Sequence, residues 1–339
     1  MSVMQIMNTA WNAISPIVML ISFGYILKQK GFITKEFADV GNAFAFRFCI
    51  PAMLFVNTYE IQSLRDVNFQ ITLYCLGVSF LIFLFGFVSS MVFTSVPERR
   101  GVMLQCCFRS NFAIIGLPLS NILGGTASVT VASVLSAATI PFYNVLAVFS
   151  LTYFIGSSEK AGDRIKTILR NIARNPLIQG VALGLVTICI RELQNALFGS
   201  VVFSLKRDLS FVYTFLTNLK SVTTPLSLIV LGAQFEFGAV RGLFKEICVA
   251  TVWRTILAPV IGVGLAIFLS SQGILACGKV EIPALVALYG SPVAVSSAIM
   301  ASSMKNDGQL AAQLVVWTSI VSIFTLFTQI CILLYFGFI

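Results

Sequence analysis

Long apolar runs separated by short polar segments dominate the pattern of this chain. A helix needs about 20 mainly apolar residues to cross a bilayer, so the runs predict spanning helices. The ten runs are approximately Thr9–Leu27, Glu36–Thr58, Phe69–Thr94, Val102–Leu123, Ala127–Ile155, Pro176–Ile190, Phe215–Phe235, Ile247–Leu269, Pro283–Met304 and Gln309–Phe336. The expected fold class is therefore an all-α polytopic membrane protein with ten transmembrane helices.

Two stretches in the second half depart from this simple pattern. The seventh run is diluted by Lys220 and by the Ser, Thr and Pro residues that follow it. The apolar part of Arg191–Asp208 is too short to span a bilayer. We therefore interpret Arg191–Asp208 as an interfacial turn or half-helix.

A polar, basic segment divides the ten runs into two sets of five. The expected organisation is a first five-helix repeat over residues 1–155, a cytoplasmic linker over 156–174 and a second repeat over 175–339. Because five is an odd number, two such repeats would lie in opposite orientations across the membrane. Inverted repeats with interrupted helices are the architecture of many secondary transporters.

Matching positions in the two halves support this division. Glu98 precedes the fourth run and Glu281 precedes the ninth, 183 residues later. The same interval of 183 residues separates Gly125 and Gly308, where these two runs end. The equal spacing favours a weak internal symmetry between the halves.

Composition and charge agree with a membrane location. Hydrophobic residues make up 58% of the chain and charged residues 10%, which is far fewer charges than a soluble domain carries. Of the 22 Lys and Arg residues, 13 fall in loops on one side, 6 on the other and 3 within helices. The positive-inside bias then places both termini outside. The net charge of +9 is explained by this bias, so nucleic acid is not an expected partner.

The fourth run carries an unusual group of residues near its middle. Arg109 and Asn111 are polar, and Gly116 and Pro118 weaken helical structure. An opened helix presents backbone dipoles that can bind an ion in a cavity. The segment predicts either a broken helix that forms half of a substrate site or an ordinary proline kink.

The ninth run offers a counterpart. Ser291 and Pro292 follow Gly290, and Ser296 lies one turn further along. Serine hydroxyls can satisfy freed backbone groups or contact a ligand. Interrupted helices at matching places in two halves favour a binding site formed between them over simple small-residue packing.

Charged residues within the predicted helices are all cations. Arg47, Arg109 and Arg254 lie in helix interiors, which hold no convincing carboxylate. Arg binds carboxylates through paired donors, so this asymmetry favours an anionic substrate. The alternative for each Arg is a structural role, either snorkelling to the interface or bonding to backbone carbonyls. Asn57 and Gln234, near the ends of the second and seventh runs, would either line a cavity or mark a helix end.

The sequence argues against an enzyme. It contains no His, and its eight Cys residues form no CxxC motif and lie mostly in apolar runs. A membrane-embedded enzyme needs a nucleophile with a base, or metal ligands. We expect no metal and no cofactor, apart from Na⁺ or H⁺ as a coupling ion.

Five segments together resemble the auxin efflux carrier family, in its compact form without a large central cytosolic loop. These segments are Arg109–Pro118, Arg174–Leu177, Pro225–Gly232, Arg254–Pro259 and Ser291–Ser297. Their order and spacing extend the resemblance over essentially the whole chain. The family belongs to the bile acid/auxin/arsenite transporter superfamily.

The resemblance implies two inverted five-helix repeats in which the fourth and ninth helices are broken and cross near the membrane centre. Helices 1, 2, 6 and 7 would form a scaffold, and the others would move against it as an elevator. Asn111 would contact the substrate. Plant members typically have Pro before this Asn, where this chain has Ser110.

The substrate class also follows from the resemblance. Plant members export indole-3-acetate, and compact bacterial members are associated with dicarboxylates such as malate or malonate. We expect a small organic anion and the lipid bilayer as partners, and a bacterial inner membrane as the location. A homodimer is compatible with the sequence. The alternative function is a sodium-coupled solute symporter of the bile-acid type, which shares the inverted-repeat plan.

Overall fold

The computed structural model of the protein describes residues 3–60, 69–155, 170, 173–236 and 238–339. All regular elements in these ranges are helical, and their one β-type pairing is an isolated antiparallel bridge between Ser110 and Val293. Most of the predicted linker over 156–174 lies outside the described residues. The all-α fold class predicted from the apolar runs is confirmed.

The longer helices of the described chain are numbered in order. They are α1 (Val3–Gln29), α2 (Lys35–Tyr59), α3 (Phe69–Phe93), α4 (Pro97–Phe108), α5 (Leu117–Tyr153), α6 (Pro176–Phe198), α7 (Ser210–Gln234), α8 (Ala239–Ser271), α9 (Glu281–Gly290), α10 (Ser296–Ser303) and α11 (Gly308–Tyr335). Short π-helical turns interrupt α2 at Ala45–Cys49 and α8 at Trp253–Leu257 and Val260–Gly264.

Seven of these helices are long and apolar enough to cross a membrane, judged over the described residues. They are α2, α3, α5, α6, α7, α8 and α11. Shorter apolar helices occur at Val18–Gln29 and at α9. The protein is therefore a multi-pass membrane protein, and the ten-helix plan stays a prediction.

The sixth helix extends well beyond its predicted end. The prediction that the sixth ends at Ile190 was wrong, because α6 continues through the charged pair Arg191 and Glu192 to Phe198. Gly199 then ends it in the left-handed region, with φ of 69°, where glycine is favoured. The remainder of the predicted interfacial segment contains one short helix, Leu205–Asp208.

The fourth and ninth predicted helices are both interrupted. Between α4 and the π-helical turn Phe112–Gly116, the backbone at Arg109 is extended, with φ of −84° and ψ of 92°. Between α9 and α10, Ser291 is extended as well. Pro118 lies in the first turn of α5, beyond the π-helical turn that follows the break, so it does not cause the break.

The two interruptions lie side by side and bond to each other. The Asn111 N–H donates to the Pro292 carbonyl at 2.8 Å, and the Ala294 N–H donates to the Arg109 carbonyl at 3.1 Å. These two bonds flank the bridge between Ser110 and Val293. They satisfy backbone groups that would otherwise be buried and unpaired.

The helices pack mainly within two groups, which also meet where α1 packs against α11. α1 packs against α7, and α2 packs against α6 and α7. In the other group, α5 packs against α9, α4 packs against α3 and α5, and α8 packs against α11. α1 and α7 approach closely because Gly24 faces Ile229 and Gly232 faces Ile21; a Cβ atom on either glycine would lie about 2 Å from the facing carbonyl oxygen.

Candidate functional site

A small cavity lies between the two helix groups, beside the paired interruptions. Its volume is about 70 Å³. The first interruption contributes Arg109, Ser110, Asn111 and Phe112, and the second contributes Ala294, Val295 and Ser296. The remaining lining residues come from three helices: Ile50, Met53, Leu54 and Asn57 of α2, Ile140, Tyr143 and Asn144 of α5, and Thr223, Thr224 and Ser227 of α7.

Arg109 is the charged residue of this cavity. Its guanidinium is buried, and one terminal nitrogen donates to Asn144 Oδ1 at 2.8 Å and to Ser296 Oγ at 3.1 Å. The other terminal nitrogen lies 3.4 Å from Gln105 Oε1. No ion pair joins Arg109 to a carboxylate among the residues described. A buried cation with only neutral partners is costly, and an anion would compensate it.

Helix ends add to the positive character of the cavity. α10 begins at Ser296, and the π-helical turn before α5 begins at Phe112, so both of these N-terminal ends border the cavity. A helix N-terminus carries a partial positive charge because its first N–H groups have no intrahelical partner. The ends and Arg109 together favour a bound anion.

A second arginine, Arg254, binds the C-terminal ends of α4 and α9, the two helices that precede the interruptions. Arg254 is fully buried in the π-helical turn of α8 and donates to the Cys107 carbonyl at 3.2 Å and to the Tyr289 carbonyl. These carbonyls belong to the last turns of α4 and α9, where a cation is favourable. Arg254 therefore has the structural role that the sequence left open. Arg47 points outward from α2 and does not line the cavity.

Four of the residues predicted for the site line the cavity together. They are Arg109, Asn111, Ser296 and Asn57. The sequence left open whether Asn57 faces a cavity or marks a helix end, and the structure places it in the cavity wall. All four lie where α2, the two interruptions and α10 converge.

The other five predicted residues lie outside the cavity lining. Gly116 packs against the Phe112 ring and the Ala287 carbonyl, and Pro118 is exposed on the outer surface of α5. The Ser291 hydroxyl donates to the Ala287 carbonyl, and Pro292 contributes its carbonyl to the bond with Asn111. The Gln234 carbonyl, at the end of α7, accepts a bond from Gln309. The bonds of Ser291, Pro292 and Gln234 satisfy polar groups at or beside helix ends.

The architecture agrees with a comparison against known protein families. The family model described as membrane transport protein matches residues 9–330 of the chain. The chain belongs to this family, the auxin efflux carrier family. The resemblance carried by the five sequence segments is thereby confirmed. No curated protein was found to match the chain.

Sequence reasoning missed several cavity residues of this auxin efflux carrier family member. Asn144 of α5 is buried and holds Arg109 while its own amide group donates to the Ile140 carbonyl at 2.9 Å. Thr223, Thr224 and Ser227 line the opposite wall, and the Ser227 hydroxyl is buried without a hydrogen-bond partner among described atoms. The available signal was polarity, since Asn144 interrupts an apolar run and polar groups inside membranes are commonly functional.

Proposed function

We propose that this membrane transporter is a secondary carrier that moves a small organic anion by an elevator-type mechanism. The observation that carries the proposal is Arg109, a buried cation beside a cavity whose partners among the described residues are all neutral. In the proposed complex, the substrate carboxylate accepts bonds from Arg109, Asn111 and Ser296. Asn57 and Asn144 complete the polar wall.

The inverted repeat belongs to the same proposal. The interval of 183 residues between matching positions of the two halves also relates Ser110 to Val293, the two residues of the bridge. The same interval relates Arg109 to Pro292 and Asn111 to Ala294. Replacing each residue of one flanking bond by its counterpart in the other half therefore gives the other flanking bond. This is the pattern expected if a pseudo-twofold axis passes between the two interruptions.

Contacts between helix ends support ten spans with alternating direction. Lys28, at the end of α1, pairs with Glu236, which follows α7. Arg99, at the start of α4, pairs with Glu246 of α8 and with Asp307, which precedes α11. All of these residues fall on the side expected to face the cytoplasm, and we propose that both termini lie outside a bacterial inner membrane.

The position of the cavity between two helix groups supports the proposed elevator. α2 and α7 form one wall, and the interruptions with α5 form the other. We propose that α1, α2, α6 and α7 stay fixed while the remaining helices carry Arg109 and the anion across. A cavity of about 70 Å³ holds only a few water-sized volumes, so it favours a compact carboxylate over an indole acid.

Thermal shift of the purified protein tests this function. We expect malonate or malate to raise the apparent melting temperature more than indole-3-acetate, because a ligand that binds the native state stabilises it by mass action. The same measurement with and without Na⁺ distinguishes an uncoupled or proton-coupled carrier from the sodium-coupled symporter. If none of these anions shifts the melting temperature, the proposed function is wrong.

Substitution of Arg109 and Asn111 locates the site. A bond to a charged group contributes about 1.5–3 kcal/mol, so Arg109→Gln should weaken malonate binding roughly tenfold to a hundredfold. Asn111→Ala should weaken it as well. Arg47→Gln is the matched control, since it removes an arginine that faces away from the cavity. Unchanged binding in both Arg109→Gln and Asn111→Ala would exclude this site.

A further inference from the structure

An ion pair stands just beyond the cavity, between α2 and α7. Lys220 Nζ lies 2.7 Å from Glu60 Oε2, and the Tyr213 hydroxyl donates to Glu60 Oε1 at 2.7 Å. The side chains of Lys220 and Glu60 are 30% and 45% exposed. The pair is therefore reached by solvent, unlike Arg109.

Helical spacing places this pair in line with the cavity wall. Glu60 follows Asn57 by three residues, and Lys220 precedes Thr223 and Thr224 by three and four. Residues at these intervals lie on one face of a helix, about one turn or 5 Å apart. The Ser227 side chain is buried, Lys220 is half-buried and Glu60 is exposed. The ion pair thus marks the end of the cavity that approaches the surface.

The pair contributes little to holding α2 and α7 together. A partly exposed ion pair typically contributes up to about 1 kcal/mol, and Thr223 already links the helices through its bond to the Cys49 carbonyl. The charges do matter to a passing anion, because Lys220 attracts it and Glu60 repels it. Burial raises the pKa of Glu60, but hydrogen bonds from Lys220 and Tyr213 outweigh this and hold the pKa below its usual range. Glu60 is therefore charged at neutral pH.

We propose that Lys220 is an outer anion site, at which the arriving carboxylate displaces Glu60 before it moves on to Arg109. This site rests on the proposed function. Glu60 acts as a built-in competitor that occupies Lys220 when no anion is present. Glu60 directly follows α2 and Lys220 lies in α7, so both charges would meet the anion at one end of its path.

The proposal predicts opposite effects from removing the two charges. Lys220→Gln removes the outer site and should weaken malonate binding, roughly twofold to fivefold for a partly exposed charge. Glu60→Gln removes the competitor and should strengthen binding by a similar factor. An ion pair that only held the helices would give the same change in both variants. Titration of each purified variant with malonate, followed by thermal shift, measures both effects.

The Lys28–Glu236 pair provides matched controls. It has similar exposure and lies beyond the other end of α7. Glu236→Gln and Lys28→Gln change the net charge in the same way as Glu60→Gln and Lys220→Gln, and we expect no effect on malonate binding. If Glu236→Gln strengthens malonate binding as much as Glu60→Gln does, the effect comes from net charge alone and the outer site is wrong.

The outcomes separate this site from the proposed function. If the wild-type protein binds malonate and both Lys220→Gln and Glu60→Gln weaken it equally, the outer site is wrong and the carrier function stands. If malonate, malate and indole-3-acetate all fail to bind the wild-type protein, both the carrier function and the outer site are wrong.

Discussion

At the scale of single residues, the two buried arginines differ in the groups that they bind. Arg254 donates to the carbonyls of Cys107 and Tyr289, which end α4 and α9. Arg109 contacts side-chain groups of Asn144 and Ser296 beside an open cavity. Arg254 thus satisfies carbonyl groups that the interrupted helices leave unpaired, whereas Arg109 remains available to a ligand.

This contrast predicts opposite costs in stability. Arg254→Met would leave two buried carbonyls unpaired at about 1–3 kcal/mol each, so the apparent melting temperature without ligand should fall by several degrees. Arg109→Gln removes a poorly compensated charge and should lower the melting temperature less, or raise it. Both values come from thermal unfolding in detergent. A larger loss for Arg109→Gln than for Arg254→Met would contradict these assignments.

At the scale of elements, glycine sets how closely α1 and α7 approach. A Cβ atom on Gly232 would lie 1.9 Å from the Ile21 carbonyl oxygen, and one on Gly24 would lie 2.1 Å from the Ile229 carbonyl oxygen. Backbone atoms cannot move aside as a flexible side chain can. The two helices would therefore have to separate to admit a larger residue.

Gly232→Ala should consequently destabilise the protein, with a fall in the apparent melting temperature and in the yield of monodisperse protein. Gly77→Ala is the control, because Gly77 lies in α3 with no atom within 4 Å of the added Cβ. Alanine has the higher helix propensity by about 1 kcal/mol, so Gly77→Ala should be neutral or slightly stabilising. Equal melting temperatures for the two variants would show that the close approach of α1 and α7 is dispensable.

Most of the helices could be predicted from the sequence, because apolar runs of spanning length report directly on burial in lipid. The end of α6 could not, since Arg191 and Glu192 are charged yet helical, and Gly199 alone signals the end. The interruptions were located through Gly, Pro and polar residues. The cavity wall on α5 and α7 was missed because spacing along the chain does not reveal which helices meet across it.

At the scale of the whole molecule, the proposed motion requires contacts between the two helix groups to break. Asn42 of α2 donates to Ser303 of α10 at 3.0 Å, which joins the expected fixed group to the expected moving group. Gln70 of α3 and Ala276 of the α8–α9 loop bond to each other within the moving group. These two contacts should respond differently to a covalent link.

Linking Asn42→Cys to Ser303→Cys with a short bifunctional thiol reagent should stop uptake of labelled malonate, and reductant should restore it. Linking Gln70→Cys to Ala276→Cys should leave uptake largely intact. Both pairs belong in a background without the four cysteines that are not buried, Cys189, Cys248, Cys277 and Cys331. Continued uptake with a complete Asn42–Ser303 link would rule out sliding at this contact.

The bridge between the interruptions bears on which residues position 110 can accept. The two flanking bonds use the N–H groups of Asn111 and Ala294, and the Val293 N–H donates instead to Thr318. Position 110 therefore supplies no donor to the bridge, and a proline there would cost it neither bond. A substitution of Ser110 can therefore change the side chain that faces the cavity while the two bonds that hold the interruptions together stay in place.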